Sequence, residues 1–502
     1  MNVDFEASDA AYKLHCEASR LRLSGENEEA AAKWAECVAL VPDEAAYLRE
    51  YADCLARLLR WEEDLHYASL AAAFDPTHPE AWGLMGAACG FLGRHEDAKR
   101  YYDRAESLAP LAPSVMFNRS LFYLLHGDYA RGWRDYEWRV MIRGTRRTLR
   151  ECWGGQPIPG RTLFVWSEQG FGDTLQFVRF VKRAKERSGA RVVLEVQREL
   201  LTLLHGQDLG ADEVVTQGSS GSVPFEDFEH VSLMSLPFVL GIDEEREFWS
   251  GAYLRAEEPT SRKCGMWNLE CGIPEGEPTP LPPPEAGRGA LGRLLADEER
   301  VEPTPPRSSA PLPRREGEEK CKRAGAGAGE PGRLSICEAD GIRMDGQGRP
   351  SHDRSRRVGV CWQGSRENAC DGVRSIPQEE FWEAIVAPRP EVTFVSVNPA
   401  VRLPDCPNCE NPPLVSFAET AWVLRGVDLL ITVDTSVAHL AGALGVPVLL
   451  LIRFATDWRW CVKHPESSPW YPSVRIVRQG AYDEGWSKVL ARASEVFAEL
   501  VG

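Results

Sequence analysis

The stretch DLLITVDTSVAHLAGALGVP, residues 428–447, decides how this chain is read. Residues 429–433 read as a strand buried on both faces of a parallel sheet. Asp434, Thr435 and Ser436 are helix-capping residue types, and the small residues Ala441, Gly442, Ala443 and Gly445 suit a helix packed closely on that sheet. Pro447 then opens a second apolar run at 448–452. A strand that feeds directly into a helix leaves unpaired backbone N–H groups and a partial positive charge at its carboxyl end, which is where a phosphate would sit. His439 falls within the first turns, near enough to face the same ligand. An ordinary capped helix of an α/β sheet is the plainer reading of this stretch taken alone.

Composition narrows the classes around it. The chain has 502 residues, 43% of them apolar, enough for about three domains with cores of their own. A net charge of −17 argues against a surface that tracks nucleic-acid phosphates, since counterion release needs clustered Lys and Arg. The first residues, MNVDFEASDAAY, are acidic and lack an apolar core, so no secretory signal is expected, and no apolar run is long enough to span a bilayer. Fourteen scattered cysteines suit a reducing, cytoplasmic setting, with a peripheral position at a membrane left open. Cys406 and Cys409 have metal-ligand spacing, but nothing nearby completes four ligands, so a loop turn and no metal site is expected.

The first third repeats. Pro42, Pro76 and Pro110 are 34 residues apart. Between them Trp82, Met85, Gly86, Ala98, Tyr102 and Ala105 alternate bulky and small positions as paired helices require. This resembles the tetratricopeptide repeat over residues 11 to about 146, and the resemblance implies a solenoid, assigned to residues 1–150, with a concave face for a protein partner.

The period then changes. Residues 162–167 read as a strand, followed by Glu168, Gln169, Gly170, Phe171, Gly172 and Asp173 and a helix over 175–187. Strand, glycine loop and helix begin a Rossmann-like half, assigned to 151–256, but a third glycine at dinucleotide spacing is missing. Residues 257–356 hold PLPPPE, EPTPP and AGAGAGEPG and cannot pack a core. They read as a disordered Pro/Gly-rich insertion or as a retained non-coding stretch. From 357 to 502 strands and helices alternate again, with VGVCWQGS at 358–365, Arg374, Ser375, Ile376 and Pro377 after it, a helix over 378–385 and aromatic loops around Asp457, Trp458 and Trp460.

Together these motifs resemble the heptosyltransferase family of glycosyltransferases, in the variant with tetratricopeptide repeats ahead of it. The resemblance implies a GT-B fold of two Rossmann-like domains and an inverting, metal-independent transfer of sugar from a nucleotide-diphosphate donor, ADP-heptose-like or related, to a protein or glycan hydroxyl. It implies Asp173 as general base with Glu168 in reserve. It further implies a donor site of Gly170, Gly172, Gly364, Ser365, Arg374, Asp434, Thr435, Ser436 and His439, with Arg374 neutralising the leaving diphosphate in place of a metal. Asp457, Trp458 and Trp460 would flank the nucleotide or fill the core. Two other readings stay open: a tetratricopeptide adaptor carrying a degenerate transferase domain, and a protein O-glycosyltransferase.

Overall fold

A computed structural model of the chain describes residues 2–143, 152–168, 170–218, 228–249, 251–258, 356–364, 371–399 and 402–501. Gln169, Ser365 and nearly all of the expected 257–356 insertion lie outside the described residues.

The solenoid is built from four helical hairpins: α1 (Asn2–Ser24) with α2 (Asn27–Leu40), α3 (Ala45–Arg57) with α4 (Trp61–Phe74), α5 (Pro79–Phe91) with α6 (His95–Leu108), and α7 (Pro113–Leu125) with α8 (Tyr129–Tyr136). The second helices begin at residues 27, 61, 95 and 129, a step of 34 each time. Ala18, Ala52, Gly86 and Ser120 recur at that step as the small residues that let paired helices touch; a Cβ at Gly86 would meet the Tyr102 ring at 3.0 Å. Pro42, Pro76 and Pro110 fall in the turns that follow the second helices of the first three hairpins, where a missing N–H breaks no helix bond. Each hairpin turn needs one left-handed residue, supplied by Gly25, Gly93 and Gly127 at φ 86°, 76° and 64°, and by Leu59 at φ 61°. A short α9 (Arg139–Arg143) follows.

Two all-parallel sheets come next. The first holds β1 (Thr162–Trp166), β2 (Arg191–Val196), β3 (Glu213–Thr216) and β4 (Phe228–Ser232) in the order β3-β2-β1-β4. The second holds β5 (Arg357–Cys361), β6 (Thr393–Ser396), β7 (Cys409–Glu410), β8 (Leu429–Val433), β9 (Val448–Ile452) and β10 (Val474–Arg478) in the order β10-β9-β8-β5-β6-β7. Both reverse their winding beside their first strand, and the crevice outside the strand ends at such a reversal is where α/β sheets bind ligands. Strands β8 and β9 are buried along their whole lengths, as unbroken apolar runs in a parallel sheet should be.

The helices around the first sheet are α10 (Phe171–Phe177), α11 (Val181–Ser188), α12 (Arg198–Leu204) and α13 (Leu236–Leu240). Around the second they are α14 (Asp371–Arg374), α15 (Gln378–Phe381), α16 (Phe417–Arg425), α17 (Ser436–Leu444) and α18 (Trp486–Val501). Two helices depart from expectation. The one expected over 175–187 is split by a tighter turn at Val178–Phe180, which brings Phe177, Val178, Phe180 and Val181 all into the core. The one expected over 378–385 widens into a π turn at Trp382–Val386. Cys406 and Cys409 are joined as a disulfide, so this pair departs from the reduced thiols expected of the chain; among the described residues the other cysteines are free.

The solenoid does not stand apart from the sheets. Trp133 and Tyr136 of α8 pack edge to face on Trp458, at centroid distances of 5.3 and 6.0 Å, and Trp133 also meets Phe177 and Trp470. One continuous core therefore joins the last repeat to both sheets. Farther out, the Tyr482 hydroxyl donates to the Leu59 carbonyl at 2.7 Å and the Val462 N–H donates to the Leu125 carbonyl at 3.0 Å.

Leu59 is the turn residue that sterics penalise. A left-handed conformation costs a residue with a Cβ roughly 1–2 kcal/mol, and glycine gives back about 0.5–1 kcal/mol of that in chain entropy. Leu59→Gly should therefore stabilise the solenoid by about 0.5–1 kcal/mol, read as a raised urea midpoint at unchanged slope. A lowered midpoint would show that the Leu59 side chain contributes more packing than its backbone costs.

Candidate functional site

A cavity of about 730 Å³ lies between the carboxyl ends of the two sheets and the solenoid. The first half contributes Gly170, Gly172 and Asp173. The second contributes Arg374, Asp434, Thr435, Ser436 and His439, and the loop after β9 contributes Arg453, Thr456, Asp457, Trp458 and Arg459. The solenoid closes it with an apolar wall that includes Phe91, Phe117, Leu121 and Phe122.

The corner of Asp434, Thr435 and Ser436 lines this cavity. Thr435, and not Asp434, is the N-cap of α17, and its side chain makes no capping bond, so the first N–H groups of the helix are not occupied by it. The Thr435 hydroxyl instead lies 3.4 Å from that of Thr432. Arg374 reaches the same corner: its Nη1 donates to the Asp434 carbonyl at 3.2 Å, and its Nε donates to Asp371 Oδ1 at 3.2 Å. Gly364 lies beneath this guanidinium, where a Cβ would collide with it. Gly364 therefore serves the approach of Arg374 and is not itself in the cavity wall.

Asp173 does not cap its helix. Arg459 Nη2 donates to its Oδ1 at 2.5 Å, while Arg459 Nε donates to Gln176 at 2.8 Å and Nη1 donates to Asp457 at 2.8 Å. The same guanidinium lies over Trp458, 4.2 Å from the ring centroid. Burial works against its charge, and the carboxylates of Asp457 and Asp173 outweigh that, raising it above its already high range. Arg459 was not among the expected site residues, although it stands inside the aromatic motif that was.

Glu168 is placed differently from expectation. Its buried side chain accepts from Arg139 of α9 and from Ser232 at the end of β4, in an ion pair between solenoid and first sheet. It does not line the cavity. Gly172 does, but its glycine is required by packing: a Cβ there would stand 2.9 Å from His439 Cδ2, where α10 meets α17.

His439 is buried, with Nδ1 and the Tyr471 hydroxyl 3.0 Å apart and its ring stacked on Trp460 at 5.3 Å. Burial, then the charges of Arg459 and Arg179, push its pKa well below the usual range, so the imidazole is neutral. The two aromatics left undecided by sequence separate here: Trp458 lines the cavity, whereas Trp460 is fully buried beneath His439. Asp434 is pushed up to about 6, first by burial and then by the charge of Asp457, with the Trp460 side chain, Arg374 and Arg459 opposing. Arg453, Asn118 and Tyr136 line the cavity and were missed. Position after β9 was the available signal for Arg453, and no sequence signal pointed to the other two. Among the described residues no group of three or more His, Cys, Asp or Glu could hold a metal, and no helix is long and apolar enough to cross a membrane.

Fold and cavity together define a helical-repeat, tetratricopeptide-like protein whose solenoid roofs the crevice of a two-sheet α/β unit. The chain matches no protein-family model. It is similar to Protein FlbA of Caulobacter vibrioides, with 22% identity over 514 residues that span 95% of this chain and 68% of that protein. Among solved structures it is similar to the MamA protein, at 16% identity and TM-score 0.23, covering 29% of this chain and 75% of that one. It is also similar to the tetratricopeptide domain of Arabidopsis OM64, at 16% identity and TM-score 0.22, covering 23% and 96%. The repeat assignment rests on the 34-residue step within this chain.

The raised pKa of Asp434 has a definite sign. Its ordinary value is 3.8 and its folded value about 6, so between these the native state binds the extra proton and stability falls as pH rises. Asp434→Asn should melt increasingly higher than wild type from pH 4 to pH 6.5, with the difference level above that. Parallel melting curves across the window would remove this account of Asp434.

Proposed function

We propose that the chain is a glycosyltransferase of the GT-B type, moving a sugar from a nucleotide-diphosphate donor to a hydroxyl of a protein or glycan. The observation that carries this reading is the single cavity in which the open N-terminus of α17, the Arg374 guanidinium and the Asp173 carboxylate converge from two facing sheets. The donor diphosphate would lie on the N–H groups after Thr435 and Ser436, with Arg374 beside it, where charge develops as the leaving nucleotide departs. Gly170 and Gly172 line the facing wall. The acceptor would enter from the solenoid side, its hydroxyl presented to Asp173. The apolar wall of Phe91, Phe117, Leu121 and Phe122 favours a protein segment over a bare glycan, which joins this reading to protein O-glycosylation.

A specific observation favours a second reading, an adaptor whose α/β part no longer catalyses. Asp173 is held by Arg459, and Glu168 is held by Arg139 outside the cavity. For Asp173 to accept a proton, the acceptor hydroxyl must approach its Oδ2 while Arg459 keeps the other oxygen.

The two readings separate on one experiment. In a panel of nucleotide-sugars without added metal, a donor at 100 times its Kd should stabilise the full chain by about 2.7 kcal/mol, read as a rise in melting temperature. Arg374→Met should weaken that donor at least tenfold, about 1.4 kcal/mol. Asp173→Asn should keep donor binding and lose transfer, measured as sugar mass added to a co-purified protein. No thermal response to any donor at saturation would leave the adaptor reading standing.

A further inference from the structure

Six of the residues that line the cavity carry formal charge: Asp173, Asp434, Asp457, Arg374, Arg453 and Arg459. Arg459 is committed to Asp173, Asp457 and Gln176, and Arg374 to Asp371 and the Asp434 carbonyl. Arg453 differs: it is partly buried, and among the described residues it has no hydrogen bond, ion pair or ring beneath it. Its charge is felt by Tyr482, a phenol whose own proton goes to the Leu59 carbonyl.

The backbone that carries Arg453 is fixed on both sides. Ile452 before it is the last residue of β9, in register with Arg478, and its carbonyl accepts from the Gln479 N–H at 2.9 Å. Phe454 after it donates its N–H to Gln479 Oε1 at 2.9 Å, and its ring lies against Gly93, where a Cβ would stand 2.6 Å away. A five-donor guanidinium is thus displayed from a rigid strand end, at the seam between second sheet and solenoid, with none of its donors taken by a described residue. A cation partly removed from water and given no partner is unfavourable by itself, and a ligand oxyanion supplies the missing counter-charge.

We infer that Arg453 binds an oxyanion, phosphate or carboxylate, of the ligand that fills this cavity, as a specificity-determining cation distinct from Arg374. The inference rests on the cavity being the ligand site proposed above, and not on sugar transfer. Phosphate would come from the donor nucleotide, carboxylate from the transferred sugar or from an acidic side chain of the acceptor.

The test uses the full chain at low ionic strength, as wild type, Arg453→Met, Arg453→Lys and Arg374→Met, with melting temperature read against inorganic pyrophosphate and, separately, succinate. Wild type should be stabilised by at least one anion, Arg453→Met should weaken that anion at least tenfold, and Arg453→Lys should recover part of the loss. Dependence on Arg453 for pyrophosphate assigns the donor phosphates; dependence for succinate alone assigns a carboxylate. Stabilisation by neither anion, or equal affinity in wild type and Arg453→Met, overturns the inference. Loss in Arg374→Met with none in Arg453→Met overturns it while leaving the donor site intact. A loss confined to Arg453→Met, together with a silent nucleotide-sugar panel, upholds it and sinks sugar transfer.

Discussion

The guanidinium of Arg459 is the constraint on which the crevice depends. A charge this deeply buried must be matched by partners on every side, and those partners come from both halves: Asp457 in its own loop, Asp173 and Gln176 from α10. The two sheet edges are therefore held at the spacing that one planar, five-donor group dictates. Gly172 against His439 sets the same spacing by contact, since any side chain at 172 would push α10 from α17. Polar matching and steric contact thus hold Asp173 to the same position across from the start of α17.

The solenoid extends this constraint outward. Its last helix enters the shared core through Trp133 and Tyr136, and Phe248 stacks on Trp470 at 4.0 Å on the other side of that aromatic joint. Rings packed in this way contribute through both area and geometry, so the last repeat has a defined orientation over the crevice. The inner face of the repeats consequently becomes a wall of the cavity. A tetratricopeptide-like face is usually discussed as a separate binding surface; here its apolar residues and the charged strand ends bound one space.

Much of this was legible in residue types and spacing. The 34-residue step fixed the hairpins because each repeat must bury the same small and bulky positions. The apolar runs at 429–433 and 448–452 appear as β8 and β9, and Thr435, Ser436 and Arg374 line one cavity. What failed to show was pairing between distant charges. Nothing near Glu168 in sequence announces Arg139, and nothing near Asp173 announces Arg459, which lies 286 residues away. A carboxylate after a strand reads as a reactive group until its partner is known.

The sequence by itself determined the periodicities, hence a helical solenoid followed by two sets of buried parallel strands with an open helix start after one of them. Local physics suffices for this, because helix pairing, capping and two-faced burial act over a few tens of residues at most. Only the tertiary structure decided the strand orders, the docking of the solenoid over the crevice, and which charges meet. It separated Trp458 in the wall from Trp460 in the core, turned Glu168 from reserve base into interface ion pair, and left Arg453 at the cavity with no partner among the described residues. These outcomes depend on contacts between different elements, 29 positions apart for Arg139 and Glu168 and 286 for Asp173 and Arg459, and such contacts are set by the packing of whole elements.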